Sequence, residues 1–262
     1  MNKQKPTTVT AKAAALMGAF SLIAVTTTQA AFTALPSPTG ETPGVALGAF
    51  QPSGGGTVLA VYDSPFVDNA SPTPFASGTL RSFVVDRDAG PGVALDFYYQ
   101  LVNTSAPPAD FTQEFFRLKT TGGFDPSLIL SVGQTDSLAG LVAGGGSGFV
   151  AGSYVTAGVK PATTADRDVA TIGSVGFDFP SQPPLPFIGD PKNIGQGQAS
   201  GFLVVRTNST IYGLIQTAVD GAATSFPSAF AAVPEPSSVL FGLAMFGLTL
   251  NSRIKSRSSK TA

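Results

Sequence analysis

The sequence contains neither cysteine nor histidine. That excludes disulfide staples, thiolate nucleophiles, Ser-His-Asp triads and every metal site built on thiolate or imidazole. A folded domain in this chain must therefore be held by its core alone. Charge is also scarce, at 12% of 262 residues, while 43% are hydrophobic, which favours a packed core over a disordered chain. Long helices are disfavoured by 30 glycines and 21 prolines, the first for entropy and the second for the missing donor.

The near-neutral total hides a division. Between Ala31 and Ala232 eight basic side chains face fifteen acidic ones, a balance of about −7, while both ends are basic. An acidic body of this kind has no positive footprint for a phosphate backbone, so nucleic acid is not an expected partner.

At the start, Lys3, Lys5 and Lys12 precede an apolar run from Ala13 to Val25, and Thr28-Gln29-Ala30 sets small residues before a cut after Ala30. This is the plan of a secretory signal peptide, 1–30, handled by the Sec export machinery. At the other end, Pro234-Glu235-Pro236 is followed by an apolar segment from Val239 to Leu250 and then by Arg253, Lys255, Arg257 and Lys260. Twelve helical residues rise about 18 Å against a hydrocarbon core of about 30 Å. Such a helix suits brief retention in the membrane, with its basic end left in the cytoplasm.

The order of triplet, apolar segment and basic end resembles the PEP-CTERM sorting signal of bacterial exported proteins. The resemblance covers about the last thirty residues, 233–262. It implies recognition and removal of the tail by exosortase, a membrane-embedded cysteine transpeptidase. It also implies delivery to the cell surface or to an exopolysaccharide-rich matrix. A physical role for the triplet is plain: two prolines keep the stretch extended and outside the helix, which presents a peptide bond at the membrane surface. Three inner segments, "FASGTLRSFVVDRDAGPGVALDFYYQLVN", "TTADRDVATIGSVGFDFP" and "LVVRTNSTIYGLIQTAVDG", resemble stretches of uncharacterised PEP-CTERM proteins, and they bring no activity with them.

The body, 31–232, reads as all-β. Val93, Leu95, Phe97, Tyr99 and Leu101 alternate with Ala94, Asp96, Tyr98, Gln100 and Val102, and Val175, Phe177 and Phe179 repeat the period. "TVLAVYD", "GTLRSFVV", "QEFFRLK", "SLILSV", "GFVAGSYV" and "GFLVVRT" are further strand candidates between Gly-rich turns. The expected fold is an antiparallel β-sandwich, jelly-roll-like, from about Thr57 to Val219. It would be flanked by an N-terminal signal helix and a C-terminal transmembrane sorting helix. Phe97, Tyr99, Val175, Phe177 and Phe179 should be buried. The Pro/Gly/Thr-rich span 31–56 reads as a partly ordered lead-in, and "PSQPPLPFIGDPKNIGQGQ" as a long loop or an edge covering.

Two identical tripeptides, Asp86-Arg87-Asp88 and Asp166-Arg167-Asp168, each precede a turn and then a strand ending in an Asp-Phe pair or containing one. Asp86, Asp88, Asp166 and Asp168 supply hard oxygen ligands suited to Ca²⁺, although the spacing is not that of an EF-hand loop. The plainer reading is a solvated hairpin corner where the arginine pairs with a neighbouring carboxylate. No motif selects two facing acids for glycoside hydrolysis. The expectation is thus a non-enzymatic surface or matrix protein with no cofactor, the alternative being a glycan-binding module or carbohydrate-active enzyme. Tyr98, on the mixed face of its strand, is the candidate platform for a sugar ring.

Overall fold

The structure is a computed structural model that describes residues 32–35, 42–67, 77–87, 94–105, 115–119, 124, 128–168, 174–179, 194–220 and 224–233. The expected leader, 1–30, and the expected sorting signal, from Pro234-Glu235-Pro236 through the apolar segment to the basic end, lie outside the described residues. Among those that are described, no helix is long and apolar enough to cross a membrane.

Among the described residues, thirteen strands follow in order. The first seven are β1 (Thr42–Ala46), β2 (Gly56–Val67), β3 (Ser77–Asp86), β4 (Leu95–Asn103), β5 (Phe115–Lys119), β6 (Ile129–Thr135) and β7 (Leu141–Ala143). The remaining six are β8 (Thr164–Asp168), β9 (Ser174–Asp178), β10 (Phe202–Thr207), β11 (Tyr212–Asp220), β12 (Thr224–Ser225) and β13 (Ser228–Ala232). They form a six-stranded sheet, β6-β10-β4-β3-β2-β7, and a seven-stranded sheet, β1-β8-β9-β5-β11-β12, in which β13 also pairs with β11. Every pairing is antiparallel except β2 with β7. The all-β expectation holds.

The two sheets share one core. Leu80, Val84, Phe97, Tyr99, Leu101, Leu203 and Val205 from the first sheet pack in the same cluster as Val175, Phe177, Ile215 and Ala229 from the second. Phe97, Tyr99, Val175, Phe177 and Phe179 are all at most 1% exposed, as the period of two predicts.

The other face of β4 departs from expectation, because it too is covered. Phe83, Val85, Tyr98, Phe202 and Val204 form a second cluster with Leu138, Leu141 and Phe149. Phe83 meets Phe149, Tyr154 and Phe202 edge-on at ring-centre distances of 6.0, 4.8 and 5.8 Å, a geometry favoured by the ring quadrupoles. The cover comes from "GFVAGSYV", which is not the strand its composition suggests. Gly146 and Gly148 take φ of 77° and 74°, open only to glycine at low cost, and a single 3-10 turn occupies Ala151–Ser153. The segment therefore spends its aromatics on packing and does not join a ladder.

The lead-in is partly ordered, as expected: it holds β1 and an isolated bridge between Thr33 and Val132. Buried amides pin the loops: Gln134 Nε2 donates to Gly48 and Ala162 carbonyls at 2.8 and 3.0 Å, and Asn103 Nδ2 donates to the Ile194 carbonyl at 3.0 Å.

An edge strand needs partners for its outward backbone groups. On β13 they come from the opposite sheet. The Ser228 amide donates to Ser64 Oγ (3.0 Å), the Phe230 amide to Ser82 Oγ (3.1 Å), and Tyr99 Oη donates to the Phe230 carbonyl (2.8 Å). Pro227 separates β12 from β13, and Thr217 directs both its amide and its Oγ1 to the Pro227 carbonyl, at 2.9 and 2.8 Å. Burial holds the Tyr99 hydroxyl well above its ordinary pKa, so it stays a donor. Tyr99→Phe keeps the ring and loses the bond. The expected cost is about 1–2 kcal/mol, read as a lower urea midpoint at unchanged slope.

Candidate functional site

The doubled tripeptide does mark two similar hairpins. Asp86 ends β3 and pairs with Leu95 of β4, while Asp168 ends β8 and pairs with Ser174 of β9. The hairpins belong to different sheets, however. Asp88 lies outside the described residues, and among the described ones no three acidic side chains gather where a metal ion could sit. The structure does not bring the four aspartates together as far as it describes them.

The hairpins also differ in where the following aspartate falls. Asp178 is opposite Thr164, at the end of β9 away from the turn, and its Oδ2 accepts from Thr164 Oγ1 at 2.8 Å. Asp96 is opposite Val85, next to the turn, and sits directly across from Arg206 on β10. Arg87, one residue past β3, therefore lands beside Asp96. At the first corner the expected arginine–carboxylate pair is present as Arg87 with Asp96, but it is set into the sheet and not solvated; at the second, Arg167 is buried, at 2% exposed.

This places one carboxylate between two guanidinium groups. Arg87 Nη2 is 2.9 Å from Asp96 Oδ1 and Arg206 Nε is 3.3 Å from Oδ2. Arg87 Nη2 also donates to the Thr207 carbonyl at 3.2 Å. The Asp96 side chain is 1% exposed, against 24% and 21% for Arg87 and Arg206. Burial raises the Asp96 carboxyl to about 6, against the downward pull of Arg87 and Arg206. The same burial, with the Asp96 charge nearby, pushes the Tyr98 hydroxyl up to about 12, and it lowers the Arg206 guanidinium. The carbon of that guanidinium lies 3.4 Å from the centre of the Phe32 ring, a cation–π contact.

A carboxyl that titrates near 6 is suited to proton transfer. Here both oxygens face arginines and almost none of the group meets solvent, so no substrate atom reaches it. The arrangement is a clamp between β3, β4 and β10. Tyr98 is fully buried beside it, which overturns its assignment as a sugar platform. Among the described residues, the exposed aromatic is instead Phe226, 54% exposed. It borders a shallow depression of about 320 Å³ lined by Pro65, Phe66, Val67, Thr224, Ser225 and Pro227. That lining carries two hydroxyls and no charge, so it supplies no acid or base.

The sequence pointed to the hairpin corners but not to Asp96 and Arg206. The available signal was a charged residue inside a strictly alternating strand, and only the covered outer face gives it meaning. No family model, curated protein or solved structure matches this chain.

Proposed function

We propose that the chain is an exported, non-enzymatic surface or matrix protein, delivered through a cleaved leader and a C-terminal sorting tail. One observation carries the reading. The body ends in β13, and the Pro234-Glu235-Pro236 triplet begins one residue past Val233 without a spacer. The Val233 amide donates to the Ile211 carbonyl at 3.4 Å, and its side chain packs on the core.

On this reading the two terminal apolar segments are helices only while the chain is in transit. The Sec machinery takes the first, and an exosortase-type transpeptidase reads the second at the membrane surface. The β body is then left attached or released among exopolysaccharide, where an acidic, cysteine-free domain with both sheet faces of β4 covered serves as a durable unit. Calcium at Asp86, Asp88, Asp166 and Asp168 forms no part of it.

Fractionation of the native host, with mass spectrometry of both protein ends, tests the proposal. The surface or matrix fraction should hold a chain that starts at Ala31 and lacks "RIKSRSSKTA". A mature chain that keeps that peptide makes the tail an ordinary anchor and ends the sorting reading.

A further inference from the structure

The residues just past the leader are built into the fold. Thr33 and Val132 exchange both backbone hydrogen bonds at 2.9 Å, so residues 32–35 lie along the outer edge of β6. Leu35, 5% exposed, enters the core shared by the two sheets. Phe32 covers the Arg206 guanidinium on one side and closes on Gly133 on the other. A methyl group at Gly133 would come within 2.5 Å of the Phe32 ring, so only glycine admits the ring there.

From this placement we infer that residues 32–35 are a closing strap that docks only after the leader is removed. The inference rests on the leader reading. With a cut after Ala30, Ala31 alone separates the scissile bond from the docked Phe32. A peptidase holds extended backbone on both sides of the bond it cuts, and the small residues Thr28 and Ala30 are there to be gripped. Thr26 to Ala31 spans at most about 20 Å from the membrane-held run. A docked strap would bury the second residue past the cut against the sheet, so docking and cutting exclude one another.

The consequence is an ordered sequence. While the leader remains, the Val132 amide and carbonyl, the Leu35 site and the Arg206 face stay open. Once it is gone, four residues complete the β6 edge, fill the core position and cover the arginine beside Asp96.

The absence of native cysteine gives a clean test, because any introduced thiol is the sole reporter. Thr33→Cys with Val132→Cys places two sulfurs across a hydrogen-bonded antiparallel pair, whose Cα separation of about 5.5 Å allows a disulfide. The full chain carrying both changes would be prepared in processed form and, with Ala30→Phe to block the cut, as the precursor. Under mild oxidation the processed chain should form the bridge within one molecule at least tenfold faster than the precursor. Equal rates would show that docking does not await the cut. A disulfide-linked dimer would show that the segment serves a neighbouring copy, and reduced thiols in both forms would show that it does not dock. If the pair disturbs folding, Leu35→Cys alone replaces it, labelled slowly by maleimide in the processed chain and rapidly in the precursor. An N-terminus other than Ala31 in the processed chain would remove the leader reading, independently of whether the bridge forms.

Discussion

Asp96→Ala should destabilise the folded domain by about 3 kcal/mol, the low end for removing one partner from a buried ion pair. The low end applies because Arg87 and Arg206 keep about a quarter and a fifth of their side-chain surface in solvent. Asp96→Asn should behave quite differently. Burial lifts the Asp96 carboxyl from 3.8 to about 6 despite both arginines, so folding penalises the ionised form relative to the unfolded chain. An uncharged amide keeps an acceptor for one arginine and turns its NH2 toward the other, so at pH 7.5 it should cost clearly less than Ala without being neutral. The sign of the pH dependence follows. A carboxyl raised on folding contributes stability that is fully present below about pH 4 and lost as the pH rises through about 6. The shift of about two units corresponds to about 3 kcal/mol. Urea midpoints from pH 4 to 8 should show unsubstituted protein losing stability relative to Asp96→Asn across that window. A loss with Asn as large as with Ala at pH 7.5 would instead mean that the charge itself holds β3, β4 and β10 together.

The second large effect concerns the tail. On the proposed sorting reading, replacing Pro234 and Pro236 with Ala should remove the extended stretch that separates the apolar segment from the body and so hide the bond to be cut. Uncut chain still carrying Arg253 and Lys255 should then accumulate in the inner membrane, and loss of the host's exosortase should give the same fraction. Deleting the tail should leave export intact and release a soluble body. The structure decides where that deletion begins: at Pro234, because Val233 still belongs to the β11–β13 hairpin through its bond to Ile211. Normal processing of the double-alanine chain would sink the role given to the triplet.

Much of the fold was legible because a period of two over whole strands has one physical meaning. Leu95, Phe97, Tyr99 and Leu101 could face only a core, and Phe177 likewise. What lay beyond reach was the second face of the same strand. Alternation tells which residues share a side, but not whether a distant segment folds over it. Phe149 and Tyr154 do so from a stretch whose own composition suggested a strand, and thereby Tyr98 changes from platform to packing. The Asp96 clamp was illegible for the same reason, since it depends on β4 and β10 lying side by side in register, which local pattern does not encode. β13 escaped notice because Ser228–Ala232 is short and alanine-rich, and its place is set by hydroxyls from Ser64, Ser82 and Tyr99.

Those three hydroxyls have a mechanical consequence. On the proposed sorting reading, a body held at a cell surface by its C-terminal end and dragged by flow or by its neighbours receives the pull at Val233. Tension entering there meets the Val233–Ile211 bond and then the Tyr212–Ala232 pair of the hairpin, a ladder that alone would peel open one rung at a time. The cross-sheet bonds to Ser228 and Phe230 tie the same strand to β2, β3 and β4. The pull is thus shared between both sheets from the first rungs, and β13 cannot be drawn away without breaking bonds to each of them.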